Sequence, residues 1–214
     1  MFITEVRPRR GRQVLLVLDG EPAVTVDSRT FDESPYRAGG VIDDDQLREL
    51  LDRSEKNRAR EKALYLLSMR DHSRGELERK LRRTAGEQTA AETAARMEEI
   101  GLVNDEAYAA RLAEELAARR FYPRRRILQE LQEKGVSRVQ AEAAAEAVDG
   151  EDWERAVQLL RRKYAHRLRT PDDRRRTMAA LGRYGFGGDA VRRALDAVRG
   201  EEPDWFADED TPEE

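Results

Sequence analysis

The sequence predicts a mostly α-helical protein: three tandem three-helix repeats, preceded by a small N-terminal β-hairpin or three-strand unit and one helix. Three observations carry that expectation. Helix-start and helix-stop signals recur throughout residues 56–199. Leu81, Leu131 and Leu181 stand fifty residues apart. Runs of β-type residues are confined to the first part of the chain, around an Asp19-Gly20 turn signal. The expected divisions are 1–55 for the β unit and its linker helix, 56–101, 102–149 and 150–199 for the repeats, and 200–214 for an acidic, disordered tail.

In chain order, Ile3-Thr4-Glu5-Val6 reads as a strand, joined by the basic loop Arg7–Arg12 to the apolar run Val14–Leu18. Asp19-Gly20 marks a hairpin because both turn positions need φ > 0. Pro22 weakens the start of the return strand, Ala23–Val26. Strands this short are marginal alone and need helices to dock on. Residues 27–40, with Ser34, Pro35, Gly39 and Gly40, read as a linker. Asp43-Asp44-Asp45 opens a helix with acids at its positive end and turns Leu47, Leu50 and Leu51 inward.

Past residue 56 the punctuation is helical. Ser73-x-x-Glu76, Thr89-x-x-Glu92 and Ser137-x-x-Gln140 fit the capping box. Asn104-Asp105-Glu106 marks a further start, and Thr170-Pro171-Asp172-Asp173 sets a cap, a first-turn proline and two acids in order. Tyr122-Pro123 places a proline at another start. Gly86, Gly101, Gly135 and Gly185 sit where helices should stop. About nine short helices result. Leu77 and Ile127 precede their leucines by four residues, and Gly135 and Gly185 follow theirs by four. Met97/Ile100, Ala144/Val148 and Val191/Leu195 mark apolar third helices. A unit of about 48 residues buries too little surface alone, but neighbours share interfaces.

Composition narrows the function. The chain has 214 residues, a length for one or two domains. It has no cysteine and two histidines, His72 and His166, which excludes disulfides, thiolate metal sites, a Cys nucleophile and a multi-histidine centre. No run approaches the roughly 18 apolar residues of a membrane span. Residues 1–12 hold no apolar signal core, so a cytoplasmic location is expected. Ser73 and Ser137 are better used as caps than as nucleophiles, and both histidines read as surface residues. Gly185-Phe186-Gly187-Gly188 lacks the strand and Lys-Ser/Thr of a phosphate loop. Asp43–Asp45 has no second carboxylate cluster at metal spacing. The chain is therefore expected to be no enzyme and to use no cofactor and no metal.

Charge is segregated. Residues 1–55 carry net −4, residues 56–199 net +8 and residues 200–214 net −8. The three repeats carry +3, −1 and +6 in order. A basic body with an acidic tail suits a polyanion or a charged protein surface. The candidate binding residues are Arg79, Lys80, Arg82 and Arg83; Arg119, Arg120 and Arg124, Arg125, Arg126; and Arg161, Arg162, Lys163 with Arg174, Arg175, Arg176. Arg167, Arg169, Arg192 and Arg193 lie beside them. Three consecutive arginines span about 200° of a helix, so some of each triplet face solvent. Arginine also suits forked bonds to phosphate or carboxylate. Aromatics near the clusters are few (Phe121, Tyr122, Tyr164, Tyr184, Phe186), which disfavours a broad base-stacking platform. Trp205-Phe206 is a candidate docking spot in the tail.

Three local patterns give the chain a family likeness. The first is Ala63-Leu64-x-Leu66-Leu67-x-x-Arg70-x-x-Ser73-x-x-Glu76-Leu77-x-x-Lys80-Leu81. The second is Ile100-Gly101-Leu102-Val103-Asn104-Asp105-x-x-Tyr108-Ala109, leading to Ile127-x-x-x-Leu131-x-x-x-Gly135-Val136. The third is Leu181-x-Arg183-Tyr184-Gly185-Phe186 with Val191 and Leu195. Over roughly 56–199 the chain resembles the RecX family, regulators of the bacterial recombinase RecA. Tyr122-Pro123 departs from the pattern, in which many relatives place a glycine before the second middle helix. The resemblance implies an elongated, curved array of repeats that lies in the groove of the RecA–DNA filament. It implies inhibition of ATP hydrolysis, strand exchange and SOS repressor cleavage. The partners expected are the RecA filament and single- and double-stranded DNA, with no membrane and with the chain as a monomer. The alternative is a tandem three-helix DNA-binding protein with no recombinase partner.

Overall fold

The computed structural model describes residues 1–164, 168 and 170–199. His166, Arg167, Arg169 and the whole acidic tail, including Trp205-Phe206, lie outside the described residues. The chain forms two compact units, the first being Met1–Asn104 and the second beginning at Asp105. No helix among the described residues is long and apolar enough to cross a membrane.

The first unit opens with β1 (Ile3–Arg9), β2 (Gln13–Leu18) and β3 (Glu21–Asp27), an antiparallel sheet in the order β1-β2-β3. Asp19 and Gly20 both take positive φ, 50° and 88°, as the tight turn demands. Pro22 is tolerated because β3 is an edge strand and a bulge between Leu16 and Val17 shifts the register beside it. One face of the sheet closes on a core of Ile3, Leu16, Leu18, Val26, Phe31, Ile42 and Leu50.

The supposed linker is partly structured. Helix α1 (Ser28–Asp32) is capped by Asp27, whose carboxylate accepts from Thr30 N at 2.9 Å, and it drops Phe31 into the sheet core. The following backbone is tied to the edge of β1: Ile3 N donates to Gly40 O and Gly39 N donates to Ile3 O, each at 2.8 Å. Helix α2 (Asp44–Met69) then runs unbroken past position 56. Its first half places Leu50 under the sheet and its second half places Ala63 in the next core. Asp43 and Gln46 cap it reciprocally.

That next core belongs to α2, α3 (Arg74–Leu81) and α4 (Glu87–Glu99), and centres on Leu77, Leu81, Ala90, Ala94 and Met97. Ser73 caps α3, accepting from Glu76 N at 3.0 Å. Three expectations fail here. Thr89 lies inside α4, whose start is Gly86, and the Gly86 N–H is held by the Glu55 carboxylate reaching from α2. Gly86 thus begins a helix instead of ending one. Ile100 is exposed, so of the expected Met97/Ile100 pair Met97 alone is buried.

The second unit holds α5 (Asp105–Arg120), α6 (Arg124–Glu133) and α7 (Arg138–Glu146), then α8 (Asp152–Lys163), α9 (Pro171–Tyr184) and α10 (Gly188–Arg199). Ser137 and Thr170 cap α7 and α9 as their sequence spacing requires. The fifty-residue repeat is a packing repeat: Leu81, Leu131 and Leu181 are all fully buried, as are Leu77 and Ile127, while Thr177 fills the third equivalent place. Gly135 and Gly185 take φ of 84° and 102°. At each, the next residue closes a 6→1 bond, Val136 N to Leu131 O at 3.1 Å and Phe186 N to Leu181 O at 3.2 Å, and tucks its buried side chain beneath the helix end.

Candidate basic interface

In the first repeat, Arg79 and Lys80 occupy the last turn of α3, where cations favour the helix's negative end. Lys80 is turned inward: its ammonium lies 3.7 Å from Glu76 and 2.9 Å from His72 Nε2. His72 is buried, contrary to its expected surface position. Nδ1 donates to Arg70 O at 2.8 Å and Nε2 accepts from Lys80, which is the pattern of a neutral ring. Burial, joined by the charges of Arg70 and Lys80, pulls its pKa below the ordinary value despite the Arg70 carbonyl and Glu76. For Glu76 burial acts upward, but the two bonds from Arg70, at 2.6 and 3.0 Å, and the neighbouring cations outweigh it and hold the pKa low. Arg82 pairs with Glu78 and Glu87. Arg83 is exposed and makes no ion pair among the described residues.

In the second repeat the arginine triplet divides into three roles. Arg124 turns back into the molecule and donates from Nη2 to Val148 O at 3.2 Å and Gly150 O at 3.1 Å. Arg126 forks onto Glu130 at 2.8 and 3.0 Å and lies over the Tyr122 ring. Arg125 is exposed with no ion pair among the described residues. Arg119 pairs loosely with Glu115 at 3.6 Å, and the bond between Arg120 and Tyr122 raises the arginine's pKa.

In the third repeat Arg174 donates to Leu168 O at 2.8 Å, Arg175 approaches Asp172 at 3.4 Å, and Arg176 is exposed without an ion pair among the described residues. Arg161 is exposed at the end of α8. Arg162 lies over Phe121, and Lys163 bonds the Tyr184 hydroxyl at 2.8 Å and covers its ring. Tyr184 in turn meets Tyr122 edge-on, with ring centroids 6.0 Å apart. The fold therefore gathers Arg120, Arg126, Arg162 and Lys163, scattered in the sequence, around Phe121, Tyr122 and Tyr184.

Sequence reasoning missed Arg155. It is buried, donates to Asp149 O at 2.8 Å and to Asp152 Oδ1 at 2.5 Å, and shares Asp152 with the Arg124 backbone N–H. With Arg124 it binds repeat 2 to repeat 3. Its i,i+3 spacing from Asp152 was a visible signal, but its carbonyl acceptors were not.

The chain matches three family models, described as the first, second and third three-helix domains of RecX, at residues 59–97, 104–144 and 150–195. The chain belongs to the RecX family. Among RecX relatives, the regulatory protein RecX of Stenotrophomonas maltophilia strain K279a is 36% identical over 138 residues, 63% of this chain and 83% of the relative. The regulatory protein RecX of Caldanaerobacter subterraneus subsp. tengcongensis is 27% identical over 197 residues, 91% of this chain and 98% of the relative. Two solved RecX structures share the fold. A crystal structure of regulatory protein RecX gives a TM-score of 0.64 at 18% identity, covering 92% of this chain and 100% of the other. RecX from Lactobacillus salivarius gives 0.57 at 23% identity, covering 68% and 97%. No cluster of three or more potential metal ligands occurs among the described RecX residues, and the Asp43–Asp45 run is accounted for by capping and by an Arg48–Asp45 pair at 2.7 Å.

Proposed function

We propose that this protein is a non-catalytic cytoplasmic regulator that binds the RecA–DNA filament and damps recombinase activity: ATP hydrolysis, strand exchange and SOS repressor cleavage. The observation that carries the reading is that each RecX repeat presents an exposed arginine with no ion pair among the described residues, Arg83, Arg125 and Arg176. An exposed guanidinium without an internal carboxylate is available to phosphates or to acidic protein surfaces. Several such weak contacts on one chain add through effective concentration along a repetitive partner.

The test is a titration of RecA ATPase on single-stranded DNA. Inhibition is expected at protein amounts well below those that saturate the DNA. Inhibition only near saturation of the DNA supports instead a tandem three-helix DNA-binding protein that competes for the strand. No inhibition at any ratio overturns the reading.

A further inference from the structure

We infer that the first unit carries a second polyanion site, a cleft across the β unit and repeat 1 that takes the phosphate backbone of duplex DNA. Two open recesses, about 620 and 670 Å³, meet at the exposed Thr25 of edge strand β3. One is walled by Pro8, Arg9, Arg10 and Gln13 at the β1–β2 turn. The other is walled by Arg58 of α2 and by Arg82, Arg83 and Gly86 of the α3–α4 connection. Arg9, Arg10, Arg58 and Arg83 are all exposed and make no ion pair among the described residues.

Both walls are fixed in place. The β1–β2 turn is held by Ser28 N donating to Arg12 O at 2.9 Å and by Arg12 bonding Glu61 of α2 at 3.1 Å. The α3–α4 connection is held by the Glu55 carboxylate on Gly86 N. Glu55 keeps its charge while it accepts that bond, and Arg82 is paired with Glu78 and Glu87. Asp52 is the other acid of the lining. Four guanidinium groups with no ion pair among the described residues, against the two carboxylates Asp52 and Glu55, leave a cationic track, although residues 1–55 as a whole are net negative. The lining contains no aromatic side chain, so nothing there stacks a splayed base. Contact with the phosphates of a duplex, without sequence preference, is what this chemistry supports.

The site goes beyond the filament reading and is tested without recombinase. Binding of the full chain to a labelled duplex is followed by fluorescence anisotropy from 50 to 200 mM salt. Arg9→Gln/Arg10→Gln and Arg58→Gln/Arg83→Gln are each compared with the unaltered chain. Each lost phosphate contact lowers the salt slope by about 0.9, so each pair shrinks the affinity drop across this range about 12-fold. Asp52→Asn, which removes a charge without removing a contact, is expected to tighten binding several-fold. Unchanged slopes in both double variants, or no gain from Asp52→Asn, overturn the site. A single strand of equal charge bound as tightly as the duplex, with the same slope losses, overturns the duplex assignment. Because RecA is absent, failure of the ATPase titration and failure of this assay are separate results.

Discussion

Arg124–Arg126 in α6 and Arg174–Arg176 in α9 stand fifty residues apart, and each triplet precedes the same buried anchors: Ile127 and Leu131 in one helix, Thr177 and Leu181 in the other. The first arginine of each triplet turns inward to a carbonyl. The second and third exchange roles. In α6 it is Arg126 that is paired, because Glu130 lies one turn on; in α9 that place is Ala180, and Arg176 is left exposed. Conversely Arg175 finds Asp172, because α9 starts a turn earlier at Pro171, while α6 starts at Arg124 with no acid before Arg125. Apolar register is thus kept between repeats while the charge network is redrawn by one neighbour in each helix.

The shared register makes the largest prediction. Leu131→Ala and Leu181→Ala each remove a fully buried side chain from a small core, and each is expected to cost about 3 kcal/mol by denaturant unfolding. Similar losses sharpen the equivalence of the two helices. A loss under about 1 kcal/mol in one of them breaks it, because a buried Leu→Ala change costs about 2–5 kcal/mol.

The inward arginines come next. Arg124→Ala removes two carbonyl bonds and a side chain packed between repeats, and is expected to cost about 2 kcal/mol; Arg174→Ala removes one carbonyl bond and about 1 kcal/mol. The check is the shift in melting temperature of the two variants side by side. Equal shifts would show that the second carbonyl bond adds nothing to the Arg124 position.

These roles also show what was legible in the chain. Caps such as Ser73, Ser137 and Thr170, and the Gly135 and Gly185 stops, depend on residues at most a few positions away, so their spacing alone locates them. Thr89 has the same local signature and fails because Glu55, thirty-one residues back from Gly86, supplies the cap. The α1 helix was hidden because its stability comes from Phe31 entering the sheet core, not from local propensity. Within the basic clusters, the residue types were readable and their division into inward and outward was not. Arg124 finds acceptors 24 and 26 residues away, and the buried His72 is bonded to the Arg70 carbonyl and to Lys80 eight residues on.

Repeat 1 extends the comparison and gives the smallest effect. Fifty residues before Arg126 stands Glu76, so the third place reads Glu, Arg, Arg through the repeats. Glu76 is buried against Arg70, His72 and Lys80. Its folded pKa lies below 4.5, so its contribution is full above that value and is lost as pH falls through the folded pKa. His72 also has a lowered folded pKa, so the neutral ring favours folding above 6.5 and that contribution is lost as pH falls below 6.5. Acidification should therefore weaken the first unit in two windows. Far-UV circular dichroism follows the whole chain, while tryptophan fluorescence carries no signal from the first unit, which has no tryptophan, and reports on Trp153 of the second. Glu76→Gln is expected to cost under about 1 kcal/mol at neutral pH, since Arg70 is half-exposed, and to flatten the lower window. His72→Asn is expected to flatten the upper one. If neither variant changes the pH profile of the dichroism melt, or if both change the fluorescence melt as strongly, the cluster in repeat 1 is not the acid-sensitive counterpart of the arginine triplets.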